Sequence, residues 1–193
     1  CHSLRLGRSP PALCLLRAPP AAARRARDRA ARAALGVVVL RTGARRGPSA
    51  AGGRIRAVAA GPAGSAVWAR LRCTGASRVG GVVWRYRNDQ NYYTLLLDLN
   101  RDELSVFRIT AGNRVRLDIR DELELDTNAW HALKVVHVGN DIRVILGGVR
   151  VFDEQDRRSE RSRDESGRVG VIATGASEIW FDDLHVETKR SHR

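Results

Sequence analysis

The clearest pattern in the chain is the alternation of apolar and polar positions between residues 80 and 99. Two β-rich runs flank a polar Asn-Asp-Gln-Asn turn. Read with the two-residue period of a strand, Trp84 and Tyr86 share one face of the first run, and Arg85 and Arg87 share the other. The pattern predicts a hairpin that belongs to a sheet with one buried and one exposed face.

Short β-branched and aromatic runs, separated by turn residues, continue along the chain. Gly147-Gly148 lies between two such runs and is a signal for a tight two-residue hairpin. No segment has a helical period. The other predicted strands cover residues 36–40, 54–59, 67–73, 104–109, 115–119, 130–138, 142–146, 149–152, 168–173 and 179–186. This series predicts an all-β fold, an antiparallel two-sheet jelly-roll sandwich.

Composition divides the chain into a basic tail and a domain. Of the net charge of +13 over 193 residues, the first 50 residues supply +10, from eleven Arg and one Asp. We expect residues 1–34, rich in Arg, Ala and Pro, to be a disordered basic tail, and residues 35–187 to form the sandwich domain. An incomplete export signal, and sequence outside the natural reading frame, are alternatives for the tail.

Charge, cysteines and hydropathy exclude several classes of function. An Arg-rich tail can bind nucleic acid through counterion release, but no aromatic residues accompany these arginines for base stacking, so nucleic acid is not the expected partner. The three cysteines match no metal spacing, and Cys73 is expected to be a small buried residue. No apolar run has the ~18 residues of a membrane span.

Four segments in a fixed order resemble a known fold family. They read GGVVWRYRNDQNYY, AWHALKVVHVGNDIRVILGGVRVF, GRVGVIATG and WFDDLHV. Together they resemble the concanavalin A-like, laminin-G-like jelly rolls, and are most similar to the bacterial type near the family-16 glycoside hydrolases and the 3-keto-disaccharide hydrolases. The resemblance implies two curved antiparallel sheets that take ligands on the concave face. The same fold carries lectins, adhesive modules and hydrolases, so it leaves activity open.

A carboxylate series before the "WH" segment is the strongest enzymatic candidate. On a strand, Glu122, Glu124 and Asp126 would share one face about 6–7 Å apart, near the spacing of glycosidase carboxylate pairs. The family-16 pattern is Glu-x-Asp-x-Glu, whereas this series reads Glu-x-Glu-x-Asp. We expect a solvated strand face opposite Leu123 and Leu125, and keep a hydrolase using Glu122 and Glu124 as an alternative.

Resemblance to the 3-keto-disaccharide hydrolases also favours binding over hydrolysis. Arg85 matches the arginine of that type, whereas Tyr93 and Leu95 occupy the positions of its Glu and Gln. The polar groups that hydrolysis would use are therefore replaced. An arginine fork and an aromatic ring remain, and both are suited to sugar hydroxyls, carboxylates and apolar sugar faces.

The predicted ligand-binding residues lie on the exposed concave face. They are Arg85, Arg87, Tyr93 and His131. The tryptophans that alternate with apolar neighbours are expected in the core: Trp84, Trp130 and Trp180. His137 and His185 have no partner at metal-ligand spacing, and we expect both on a solvated face.

The sequence therefore predicts a non-enzymatic carbohydrate-binding or ligand-binding module, extracytoplasmic or secreted, with a glycan as its partner. A glycoside-type hydrolase and a structural protein-interaction module are the two alternatives. No cofactor is expected. A structural calcium held by the carboxylates of Asp98, Asp182 and Asp183 is an alternative, because Ca²⁺ prefers oxygen ligands.

Overall fold

The computed structural model of the chain describes residues 38–41, 53–61, 64–156, 166–175 and 178–188. These residues form two antiparallel sheets of six strands each, which confirms the predicted all-β sandwich. The predicted tail, residues 1–34, and most of the charged loop after β10 lie outside the described residues. Among the described residues, no helix has the length and apolar character needed to span a membrane.

The twelve strands are divided evenly between the two sheets. The first sheet has the order β1-β12-β3-β8-β9-β10, with bounds Val38–Arg41, Glu178–Thr188, Ser65–Thr74, His131–Val138, Asp141–Leu146 and Val149–Gln155. The second sheet has the order β2-β11-β4-β5-β6-β7, with bounds Gly53–Gly61, Gly167–Thr174, Val79–Asn88, Asn91–Asp98, Glu103–Thr110 and Asn113–Arg120.

The apolar alternation read from the sequence places the core between the sheets. On β3, Leu71 and Cys73 face inward and are fully buried, while Arg70 on the same strand is exposed. Burial raises the pKa of the Cys73 thiol to about 12, so the thiol remains protonated at neutral pH. The expectation of a small buried residue at this position is confirmed. The Gly147-Gly148 hairpin is also confirmed, because both glycines have positive φ, as a type I′ turn requires.

The outer face of the second sheet is also apolar. Val83, Leu96 and Ile172 point away from the first sheet and form a second buried cluster with Tyr92, Phe107 and Ile109. The guanidinium of Arg114 lies 3.6 Å from the centre of the Phe107 ring. Apolar side chains, rather than an array of polar ligand-binding groups, therefore fill this face.

The segment before β8 is not a strand. Residues 121–130 follow β7 as a loop, and Glu122 has a φ of 54°, a left-handed value that breaks an extended run. The prediction that Glu122, Glu124 and Asp126 share a strand face is therefore wrong. Leu123 and Leu125 still pack against the core, which accounts for the alternation that suggested a strand.

Candidate functional site

A β-bulge at Arg85 interrupts the hairpin β4–β5. The pairing with β5 runs regularly from Val79 to Trp84 and then shifts, and Arg85 has a φ of 48°. Relative to β11, which pairs with the other side of β4, the bulge inserts one extra residue before Tyr86, so the residues after it change face. Tyr86 consequently joins the outer cluster, 5.8 Å from the ring of Tyr92, and the prediction that it shares a face with Trp84 is wrong.

Aromatic and histidine side chains from both sheets meet inside the sandwich beside this bulge. The indole Nε1 of Trp84 donates a hydrogen bond to Nδ1 of His137 on β8, at 2.9 Å. The ring of Tyr93 on β5 stacks on Trp84 with 5.7 Å between centroids and meets His137 edge-on at 5.0 Å. Tyr93 is therefore part of the interior rather than of an exposed face.

A buried ion pair continues this network toward β10. The carboxylate of Asp156 accepts a charge-assisted hydrogen bond from Arg108 on β6 and a hydrogen bond of 2.9 Å from the hydroxyl of Tyr93. The side chains of Asp156 and Arg108 are 3% and 11% exposed. Burying a charge is costly unless the charge is paired. Removing either residue would therefore leave the charge of the other one buried without a counter-charge. We call this end of the sandwich the network end.

Arg85 connects the bulge to the opposite sheet. Its guanidinium donates a hydrogen bond of 3.1 Å to the carbonyl of Gly139, in the β8–β9 turn, and lies 5.8 Å from the centre of the Tyr93 ring. A left-handed backbone at a non-glycine residue is strained and often marks a functional position. The bulge thus aims a cation across the network end.

A small recess opens between the sheets at the network end. Its empty volume is about 200 Å³, including the open mouth. The residues lining it are Gly61, Ser65, Trp84, Arg85, His137 and Val169.

Two glycines allow close packing beside the recess. A Cβ on Gly61 would lie 2.7 Å from Cγ2 of Val169, and a Cβ on Gly167 would lie 2.5 Å from the backbone carbonyl carbon of Arg85. Gly61 lines the recess, and Gly167 allows the neighbouring strand to approach the bulge closely.

His137 is buried and neutral in this setting. Burial lowers its pKa to about 3, and the positive charge of Arg85 acts in the same direction, while Asp156 and the backbone of Gly139 oppose the shift. Because Nδ1 accepts the indole hydrogen bond, the ring proton is on Nε2. No described residue has hydrogen-bond geometry with this Nε2. The prediction of a solvated face for His137 is wrong, since the residue is 1% exposed.

The structure brings only two of the four predicted ligand-binding residues together. Arg85 and Tyr93 meet at the network end, and Arg87 lies exposed at the end of β4. His131 begins β8, about 20 Å along the strand from His137, and its Nε2 contacts the carbonyl of Asp126 at 2.8 Å. Arg85, Arg87, Tyr93 and His131 therefore do not share one exposed face.

The outer face of the first sheet holds tryptophans, and two of them, Trp130 and Trp180, were predicted to lie in the core. Trp68 on β3 lies between its register neighbours His185 and Lys134, with the imidazole stacked at 4.5 Å and the ammonium 4.3 Å from a Trp68 ring centroid. Trp130 and Trp180 are half-buried outside the core, and the Arg70 guanidinium lies 5.3 Å from the Trp130 ring. The core prediction is correct for Trp84 and wrong for these two.

The carboxylates proposed for catalysis and for calcium lie apart from the network end. Glu122 and Glu124 are exposed in the loop before β8. Asp98 ends β5 in the second sheet and accepts a hydrogen bond from the backbone of Asn100, whereas Asp182 and Asp183 lie on β12 in the first sheet. Within the described part of the chain, no three His, Cys, Asp or Glu side chains are grouped to hold a metal ion.

Three residues of the network were missed in the sequence: Arg108, His137 and Asp156. Arg108 stands between the apolar residues Phe107 and Ile109 in a strand-like run, and this cation among apolar residues is a detectable signal. A cation at an inward position of a strand needs a buried partner. Asp156 stands in a run of mixed charge that resembles a solvated loop, and nothing local distinguishes it.

Comparison with known proteins shows the fold of the chain and leaves its function open. No protein-family model and no curated protein sequence matches the chain. Among solved structures, the carbohydrate-binding module CBM66 from Bacillus subtilis is similar, with a TM-score of 0.60, 15% identity and coverage of 81% of this chain and 98% of that one. A functionally unknown protein from Saccharomyces cerevisiae is also similar, with a TM-score of 0.59 and 13% identity. The match covers 81% of this chain and 90% of that one.

A galectin has a more distant similarity. Caenorhabditis elegans galectin LEC-6 gives a TM-score of 0.51 at 14% identity, and the match covers 70% of this chain and 90% of the galectin. Identities this low establish shared architecture and leave function open. With the two six-stranded sheets described above, these similarities show that the chain has the concanavalin A-like jelly-roll fold.

Proposed function

We propose that the chain is a non-enzymatic carbohydrate-binding module whose site is the recess at the network end. The observation that carries the proposal is the group of polar donors around that recess, where the guanidinium of Arg85 and the buried Nε2–H of His137 lie beside an indole. Ligand sites are concave, with a few fixed polar groups on mostly apolar walls. The recess meets this description on a small scale.

The manner of binding follows from the size of the recess. The space that it leaves for a water-sized group is only about 10 Å³, far below the roughly 300–1,000 Å³ of small-molecule pockets. Trp84 is 1% exposed, so its ring face is not available for a sugar to stack on. We therefore infer end-on recognition, in which a single terminal hydroxyl group of a glycan enters the recess and the rest of the glycan remains outside.

The names of the similar structures are consistent with this proposal, because one is a carbohydrate-binding module and another is a galectin. An extracytoplasmic or secreted location, and a place near the laminin-G-like and 3-keto-disaccharide hydrolase types, belong to the same proposal. A glycoside-type hydrolase remains the enzymatic alternative, but it has less support, because Glu122 and Glu124 are exposed in a loop.

A glycan array followed by titration calorimetry tests the proposal. Arg85→Gln removes the cation while retaining a side chain at the strained backbone position, and we expect at least a tenfold loss of affinity for any glycan that binds. Arg101→Gln is the matched control, because Arg101 is exposed in the β5–β6 turn, at the other end of β5 from Tyr93. Circular dichroism checks that both variants fold. Absence of glycan binding, or equal losses in the two variants, would contradict the proposal.

A protein-interaction module is the second candidate, and its support is that apolar side chains, rather than polar ligand-binding groups, fill the outer face of the second sheet. Val83, Leu96 and Ile172 on that face are 0%, 6% and 0% exposed, so these side chains offer no surface to a sugar. This candidate predicts that no glycan on the array binds, either to the original chain or to Arg85→Gln. The same experiment therefore separates the two candidates.

A further inference from the structure

The outer face of the first sheet has a shallow basic depression at the start of β8. Its floor is the exposed residue Ala132 together with Gly147, whose backbone N–H donates to the Ala132 carbonyl at 2.9 Å. A Cβ on Gly147 would meet no atom of the described residues within 4 Å. Arg70 is opposite Ala132 in the register with β3, Lys134 is two residues further along β8, and Trp130 precedes the strand. We call these five residues the β8 patch.

Two tryptophan rings hold the cations of the β8 patch in place. The Arg70 guanidinium lies 5.3 Å from the centre of the Trp130 ring, and the Lys134 ammonium lies 4.3 Å from a ring centre of Trp68. A cation is attracted to the face of an aromatic ring, and a side chain that is already ordered loses less entropy when a ligand binds. The patch therefore presents two ordered positive charges on the same face of the sheet.

Neighbouring carboxylates compensate these charges only in part. Lys134 has Trp68 and Ile145 as its register neighbours, and neither is acidic. Arg70 donates a hydrogen bond of 3.4 Å to Asp183 on β12, on the side of β3 away from the patch, and the Asp183 side chain is 61% exposed. An exposed ion pair of this kind is weak, and a guanidinium has five N–H donors. Arg70 can therefore also donate to an anion that lies over Ala132.

The surroundings of the β8 patch narrow the class of that anion. Stacking of nucleic-acid bases uses a free aromatic face, whereas the Trp68 ring lies between His185 and Lys134. Insertion into a membrane uses a protruding apolar side chain. Val149 in the adjacent hairpin is 70% exposed, but it is opposite Leu146, which packs against the core, so it points away from the patch.

A sulfate ester on a glycan requires neither a free ring face nor an apolar anchor. It carries a negative charge at neutral pH, and its three terminal oxygens can accept hydrogen bonds from a guanidinium and an ammonium at the same time. We propose that the β8 patch binds the sulfate groups of a sulfated glycan, with Arg70 and Lys134 as the donors. This site goes beyond the proposed function, because it lies on the outer face of the first sheet and does not involve the recess.

Titration calorimetry of the full chain tests the proposal with a heparin-derived octasaccharide and with the same octasaccharide after complete desulfation and N-acetylation. Salt at about 150 mM weakens nonspecific attraction to the basic surface. We expect the double variant Arg70→Gln/Lys134→Gln to bind the sulfated form at least about tenfold more weakly than the original chain, because two charged contacts are lost. The matched control Arg101→Gln/Arg116→Gln removes two exposed arginines elsewhere and should lose about twofold or less, because distant charges are screened.

A further variant separates the local site from the charge of the chain. Ala132→Leu retains both cations and fills the floor of the β8 patch, so it should also weaken binding of the sulfated octasaccharide. Because Ala132 is exposed, the variant should fold, and circular dichroism checks this for every variant. Unchanged affinity in Ala132→Leu would show that the ligand does not lie over Ala132, and would overturn the proposal.

Other outcomes are equally decisive. The proposal fails if the sulfated octasaccharide does not bind, or if it binds no better than the desulfated one. Equal losses in the two double variants would assign binding to the overall positive charge and overturn the proposal. A single-stranded oligonucleotide and phosphatidylserine vesicles are the remaining probes, and if Arg70→Gln/Lys134→Gln weakens binding of either as much, the assignment to sulfate is wrong. The recess takes no part in these measurements, so their failure leaves the glycan-array test of the proposed function unaffected.

Discussion

Charged residues are buried at one end of the sandwich and exposed at the other. At the network end, Arg108 and Asp156 are buried together, and His137 is held neutral. At the other end, which we call the loop end, Glu122 and Glu124 are exposed and Arg101 lies 4.0 Å from Asp98 with most of its side chain in solvent. Charge is abundant at both ends, but only at the network end is it removed from water. Burial, rather than the number of charges, therefore distinguishes the candidate site.

Removal of the buried carboxylate should have the largest effect. Asp156→Asn leaves Arg108 buried without a counter-charge, and we expect a loss of about 3–5 kcal/mol in the free energy of unfolding. Asp98→Asn at the loop end breaks an exposed contact with Arg101 and should cost less than about 1 kcal/mol. Urea denaturation of both variants makes the comparison. Equal losses would show that the two ends do not differ as described.

Lowering the pH should have an intermediate effect on the free energy of unfolding. The pKa of His137 lies at about 3, below its ordinary value of 6.5, so between these values the unfolded chain binds a proton that the folded chain does not. Its contribution to stability is complete above pH 6.5 and is lost as the pH falls toward 3. The slope is at most about 1.4 kcal/mol per pH unit.

Urea denaturation from pH 7.5 to 4.5 measures this slope. His137→Gln should flatten the curve, because the glutamine does not titrate. His131→Gln, at the loop end of the same strand, should retain the slope of the original chain. A slope that is unchanged in His137→Gln would indicate that other groups produce it.

Changes at the loop end should have the smallest effect. Glu122→Gln and Glu124→Gln remove exposed carboxylates in a loop and should each change stability by less than about 0.5 kcal/mol. A reducing-sugar assay on polysaccharides should show the same result for both variants as for the original chain. Activity in the original chain that disappears in either variant would instead support the hydrolase alternative.

Alternation predicted the strands and the core well, because a half-buried strand must repeat every two residues. It failed at Arg85, where one residue inserted relative to β11 shifts the period and moves Tyr86 to the opposite face. It failed at Glu122 for a related reason, since two inward leucines gave a loop the appearance of a strand. Asp156 could not be predicted locally, because its partners Arg108 and Tyr93 lie 48 and 63 positions away.

The glycines beside the recess define which positions a protein engineer can vary. A side chain at Gly167 would push directly on the Arg85 backbone, and one at Gly61 would collide with Val169. A library that seeks new glycan specificity should therefore keep both glycines fixed and vary Ser65 and Val169 instead. Gly61 and Gly167, which have no side chain, therefore limit the range of ligands that such a scaffold can be evolved to accept.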